Sequence, residues 1–191
     1  MSTALTIPDA MTLPEFLAWD APGPGRWQLI DGVPVAMAPA GWAHGRLQTV
    51  IGSLIDTHLN ERDSPCVMLT NPGVIPDFRA DRNFFIPDAA VTCSDTDTDP
   101  VGLRQPLLVI EILSPSNHAE TWRNIRAYML IASVREILVI HTAAIRVELL
   151  RRREDGSWPD DVTATGEGTF TLASIGLEVP LKTLYRRSGV G

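Results

Sequence analysis

Two spacings of apolar residues run along this chain, and together they predict a sheet with helices laid against it. From Trp42 to about Arg62, apolar positions fall at Leu47, Val50, Ile51, Leu54, Ile55 and Leu59. That three-four spacing is the stripe of an amphipathic helix with one buried face. Elsewhere the apolar runs are short and strand-like: 66–70, 73–77, 84–93, LLVIEIL from Leu107, and REILVIHT from Arg135. WQLI and VPVAMA flank Asp31-Gly32, a strong hairpin signal because both turn residues tolerate positive φ. IRVELLRRR and SWPDDVTAT, joined at Asp155-Gly156, read as a second hairpin. Thr12-Leu-Pro-Glu15 has the form of a capping box and predicts a short helix over 13–19. A further helix is expected over 119–131 and a last one near 181–186, while the acidic SDTDTDPVG, 94–102, reads as a solvated loop. The sum is an α/β (α+β) fold, a mixed sheet flanked by helices, expected as a single domain over 1–191 with its core at about 11–185.

Composition narrows the function. The formal net charge of −7 argues against a protein that coats nucleic acid by bulk electrostatics. It leaves room for a nuclease, because carboxylates gathered to hold metal make a chain acidic. No apolar run approaches the roughly 18 residues of a membrane span, and the N-terminus MSTALTIPDA lacks the features of a secretion signal. A cytoplasmic location and reduced cysteines at Cys66 and Cys93 are therefore expected. Of the 16 basic residues only Lys182 is a lysine.

Within LLVIEILSPS, Glu111 interrupts a run otherwise suited to the middle of a sheet. A lone buried carboxylate costs several kcal/mol unless something pairs with it. Asp88 likewise breaks an apolar stretch, between FFIP and AAV. Sequential strands are usually neighbours, so the two carboxylates can converge. Hard divalent ions such as Mg²⁺ or Mn²⁺ take such oxygens and keep several waters for chemistry, with the Ile112 carbonyl as a natural extra ligand. The alternative is structural: Asp88 begins a strand and Glu111 meets an arginine.

PD followed by an apolar strand bearing E-I-L-S-P-S resembles the Uma family of restriction endonucleases in the PD-(D/E)xK nuclease superfamily. W-Q-L-I-D-G with M-A-P and His44, W-R-N-I-R-A-Y with V-R-E-I-L-V-I, and the D-G-S-W hairpin are similar too, so the likeness covers roughly 11–185. The resemblance implies a restriction-endonuclease-like fold, usually a homodimer, DNA as substrate, and Mg²⁺ or Mn²⁺ held by Asp88 and Glu111 beside a lysine that orients or activates water. This chain departs from the pattern twice. The superfamily position two residues after the glutamate is Leu113, and the Uma-type lysine position, four before Tyr128, is Asn124. Where the family's opening hairpin commonly carries glutamate, this chain has Gln28. Arg123 and Arg126 flank Asn124 and could meet a phosphate, though an arginine stays protonated and cannot act as a base.

The leading expectation is a metal-dependent endonuclease, impaired by the missing lysine, with Asp88 and Glu111 as ligands, Gln28 as a nearby oxygen, and Asn124, Arg123 and Arg126 beside the reacting phosphate. Its rival is an inactive nuclease fold kept as a homodimeric interaction module. DNA binding by so acidic a chain should be weak and steeply salt-dependent. His44, which matches a histidine of the family pattern, is expected to make a helix-start hydrogen bond, the alternative being a water or phosphate contact in the cleft. His118 could reach the site from its loop but is expected to stay clear, His58 to lie at the surface, and His141 to be structural. No zinc-ligand spacing, phosphate-binding G-x-x-x-x-G-K or G-x-S-x-G elbow is present. The five tryptophans are expected to be core and interface anchors.

Overall fold

The computed structural model describes residues 10–23, 25–94, 100–159 and 163–191, without the side chains of 163–165. Its helices are α1 (Leu13–Ala18), α2 (Trp42–Asn60), α3 (His118–Tyr128) and α4 (Leu181–Leu184). Its strands are β1 (Trp27–Ile30), β2 (Val33–Ala36), β3 (Val67–Thr70), β4 (Ala89–Thr92), β5 (Pro106–Leu113), β6 (Glu136–His141), β7 (Val147–Arg151), β8 (Thr163–Thr165), β9 (Thr169–Leu172) and β10 (Leu177–Pro180). Six strands form one sheet in the order β3-β4-β5-β6-β7-β8. Only β5 and β6 run parallel, joined through α3; every other neighbouring pair is antiparallel. This is the expected mixed sheet flanked by helices.

The strand alternation sorts side chains to the two faces. Leu108, Ile110 and Ile112 of β5 pack toward α2, with Leu47, Ile51, Ile55 and Leu59 of that helix. Val109 and Leu113 pack the other way, against Ile125 and Tyr128 of α3. Glu111 lies between them in the alternation, so it shares the α3 face. A third cluster, Met11, Leu13, Leu29, Ile75 and Phe84, anchors α1 and the β1–β2 hairpin. That hairpin turns at Asp31 (φ 50°) and Gly32 (φ 87°), the two positive-φ positions its tight connection requires. Leu29 and Phe84 exchange backbone hydrogen bonds at 2.9 and 2.8 Å, which docks β1 beside the approach to β4.

Two other buried carboxylates are each paired with an arginine. Glu136 takes Arg151 Nε at 2.7 Å and the N–H groups of Ala173 and Ser174 at 3.2 and 2.7 Å. Glu148 takes Arg146 Nη2 at 2.8 Å and His141 Nε2 at 2.9 Å, which makes His141 structural as expected.

Several expectations are corrected. Cys66 and Cys93 form a disulfide instead of remaining reduced. The β3–β4 register, Val67 opposite Thr92, sets them directly across from each other, and a pairing of strands cannot be read from spacing alone. The segment 73–77 is not a strand: Val74 makes only isolated bridges to Phe85 and Leu103, since Pro72 and Pro76 lack the N–H groups a ladder needs. Most of the acidic loop, 95–99, and the hairpin residues 160–162 lie outside the described residues. The β9–β10 hairpin was not anticipated. It buries Phe170, Leu172 and Val179 under α2, and His58 of that helix is buried against it with Nε2 2.8 Å from the Ile175 carbonyl, not at the surface. No helix among the described residues is long and apolar enough to cross a membrane.

Candidate active site

The antiparallel register sets Ala89 opposite Ile110, and therefore Asp88 opposite Glu111 at the end of the β4–β5 pair. Both are buried, at 7% and 5% exposure, yet both line a cleft of about 870 Å³. The cleft opens where the parallel β5–β6 pair ends and the chain turns into α3, a recurrent position for sites in sheets with parallel strands. Ser114 and Asn117 of the SPSN turn, Glu120, Thr121 and Asn124 of α3, and the start of α2 form its other walls.

Asp88 is held rigidly. Its Oδ2 accepts the Ile112 N–H at 2.6 Å, and its Oδ1 lies 2.8 Å from His44 Nε2. Its backbone carbonyl accepts from Gln48 Nε2 at 2.8 Å and the Asn71 N–H at 3.0 Å. His44 thus belongs to the site, the alternative to the helix-start hydrogen bond expected of it. The first turn of α2 projects it across the cleft to a residue 44 positions away, a contact no local pattern discloses.

Gln28 is buried at 1% exposure, and both ends of its amide are engaged. Oε1 accepts from the Ile86 N–H and from Asn124 Nδ2, both at 3.1 Å, and Nε2 donates to Glu120 Oε1 at 3.1 Å. The departures at 28 and 124 are therefore in direct contact, as a neutral amide pair.

Glu111 is different. No cation among the described residues pairs with it. Its Oε1, Asn124 Oδ1 and the Tyr128 hydroxyl make no well-formed hydrogen bond, and the Tyr128 hydroxyl lies close enough to Glu111 to act on its charge. Asn124 and Tyr128 are one turn apart on α3 and both buried. Burial pushes the Glu111 pKa well above the usual carboxylate range; the nearby Asp88 and Glu120 charges add to this, and the Tyr128 hydroxyl offsets part of it. Burial and the Glu111 charge raise the Tyr128 pKa in turn.

The Asp88 and Glu111 carboxylates with Asn124 Oδ1 make an all-oxygen donor set lining the cleft, which suits a hard divalent cation. The set is open. Among the described residues no three His, Cys, Asp or Glu side chains converge into a closed metal cage. Mg²⁺ commonly binds through one or two carboxylates plus waters and substrate phosphates, so the residues present fit such an ion.

Other anticipated participants are placed elsewhere. Arg123 and Arg126 are exposed and do not line the cleft. At about 100° per residue, a helix that turns Asn124 inward points its neighbours at 123 and 126 away. Ile112 enters the site through its N–H; its carbonyl accepts from Asn117 Nδ2 at 3.4 Å, and its side chain faces α2. His118 is exposed, its ring 6.4 Å from that of Trp122, and it does not line the cleft. Lys182, the single lysine, lies on α4 and does not reach the cleft either.

The mixed sheet and its flanking helices form a restriction-endonuclease-like fold. A crystal structure described as "a putative nuclease belonging to DUF820", from Anabaena variabilis, superposes with a TM-score of 0.73 at 18% identity, covering 92% of this chain and 97% of that one. The chain belongs to the family described as "Uma2: Putative restriction endonuclease", which matches residues 13–182. An uncharacterised protein of Synechocystis sp. is 25% identical over 174 residues, 90% of each chain.

Proposed function

We propose that this protein is a divalent-metal-dependent endonuclease that hydrolyses phosphodiester bonds in DNA. The observation that carries the reading is the buried Glu111 carboxylate, met by no cation among the described residues and lining a cleft beside Asp88. Asp88 and Glu111 would hold Mg²⁺ or Mn²⁺, with Asn124 Oδ1 as a neutral oxygen close by. Such an ion, when bound, supplies Lewis-acid polarisation of the phosphate and a more acidic water.

The chain's own residues set the geometry around it. The Ile112 N–H and His44 fix the Asp88 carboxylate, as supporting groups commonly orient the residues that touch a metal. Gln28 hydrogen-bonds Asn124 and Glu120, which ties α3 to β1 along one wall of the cleft. With no lysine in the cleft, activity should be lower than a lysine at position 124 would give. A homodimer is part of the proposal, since two sites related by a two-fold axis can address both strands of a duplex.

The rival reading, an inactive fold retained for protein contacts, draws support from the neutral Gln28–Asn124 pair. Cleavage of plasmid and single-stranded DNA in Mn²⁺, Mg²⁺ or chelator separates the two. The nuclease reading expects Mn²⁺-dependent cleavage that Glu111→Gln abolishes and Asn124→Lys increases. No cleavage by parent or by Asn124→Lys leaves the interaction module.

A further inference from the structure

Four of the five tryptophans are packed, and the fifth is not. Trp19 and Trp27 meet edge to face at 5.1 Å. Trp158 donates Nε1–H to the Met129 carbonyl at 2.9 Å under the Arg152 guanidinium, and Trp122 is half-buried beside His118. Trp42, the first residue of α2, is 80% exposed and has no ring or hydrogen-bond partner among the described residues. Its neighbours Pro39, Ala40, Gly41 and Ala43 are small, so nothing covers the indole, and all of them line the same cleft as Asp88 and Glu111. An exposed indole is a large apolar surface left in water, and such a surface at a cleft wall marks a contact.

The opposite feature of the cleft is its charge. Asp88, Glu111 and Glu120 line it, and Arg26 is its single guanidinium. Arg26 is exposed, and no ion pair or side-chain hydrogen bond engages it among the described residues. It leads into β1, and its carbonyl accepts the Met37 N–H at 2.9 Å, which ties it to the strand end that leads to Trp42. The cleft therefore offers one flat aromatic face and one cation, adjacent to the carboxylates but separate from them.

We infer that Trp42 and Arg26 form a nucleotide subsite at the mouth of the cleft, in which the indole stacks on an unpaired base and the guanidinium takes a neighbouring phosphate. This rests on the nuclease reading above and adds the substrate class: single-stranded or locally unpaired DNA. In a duplex the base faces are stacked on one another and a lone indole has nothing to cover. In a single strand every base presents a face, and stacking on it does not depend on sequence.

The test is fluorescence anisotropy of a short labelled single-stranded oligodeoxynucleotide, and of the same sequence as a duplex, in chelator at low salt. The parent should favour the single strand. Trp42→Ala should weaken that binding about 5- to 150-fold, the loss of one stacked base, while Trp42→Phe keeps most of it. Arg26→Ala should weaken binding and lower the salt slope by about one. Unchanged affinity in Trp42→Ala, or a parent preference for duplex, overturns the subsite while leaving a nucleic-acid-binding protein. No binding by the parent overturns it as well, and the metal site is then judged independently by Mn²⁺ titration, in which Trp42 plays no part. A lower mass for Trp42→Ala in light scattering would make this surface a contact between copies and also overturn the inference.

Discussion

The sheet buries its glutamates in two ways. At the β6–β7 end, Glu136 and Glu148 are each met by an arginine and by further donors, so every charge brought out of water finds a partner. At the β4–β5 end, Glu111 is buried just as deeply, but no cation among the described residues meets it, and the neutral Tyr128 hydroxyl beside it offsets only part of the cost of burial. The chain has arginines to spare, yet those nearest in sequence to Asn124 point to solvent. A fold able to pair a carboxylate by arginine twice, and leaving a third without one beside a cleft, has the arrangement expected where a cation from solution completes the set.

The largest effect should come from exchanging the two kinds of site. Glu111→Gln is expected to lower Mn²⁺ affinity more than about a hundredfold, beyond what loss of an orienting group costs, while Glu136→Gln leaves it unchanged, both read by calorimetry. Stability should respond the other way. Arg151→Ala strips Glu136 of its charged partner and should cost about 2 kcal/mol in denaturant unfolding, a value reduced because the arginine is half exposed. Between these lies His44→Ala, which loosens Asp88 and should reduce Mn²⁺ affinity about 10- to 100-fold with little change in unfolding.

The smallest effect has the most informative sign. In the metal-free protein Glu111 is a source of instability, so Glu111→Gln should stabilise it by about 1 kcal/mol. The pH dependence follows from the direction of the shift. Burial raises the Glu111 pKa above its ordinary 4.5, so the folded state holds more protons than the unfolded state between those values. Stability of the metal-free protein should fall as pH rises through that interval. Glu111→Gln should flatten the fall, as followed by thermal unfolding in chelator.

How much of this was legible in the sequence depends on the range of each interaction. Asp88 and Glu111 were legible because each breaks an apolar run, and the convergence of sequential strands needs only local rules. The Asp31-Gly32 turn, the α2 stripe and the Thr12–Glu15 cap, with Glu15 Oε2 2.7 Å from the Thr12 nitrogen, were legible for the same reason. The contacts of His44 with Asp88 and of Gln28 with Asn124 join elements far apart in sequence, and only the assembled sheet brings them together. The Cys66–Cys93 bond depends on a strand register, which spacing does not encode. The β9–β10 hairpin did leave a signal, Phe170 and Leu172 alternating with threonines, but its strands are only four residues each. The arginines at 123 and 126 were misplaced by reading nearness in sequence as nearness in space, where the helical rotation about Asn124 decides.

The most direct test of the central claim, that Glu111 and Asp88 are kept for a cation, is calorimetric titration of Mn²⁺ into the parent and into the Asp88→Ala, Glu111→Ala double variant, with circular dichroism confirming that the variant folds. The account predicts saturable binding to the parent and none to the variant. Equal binding to both, or none to either, would contradict it.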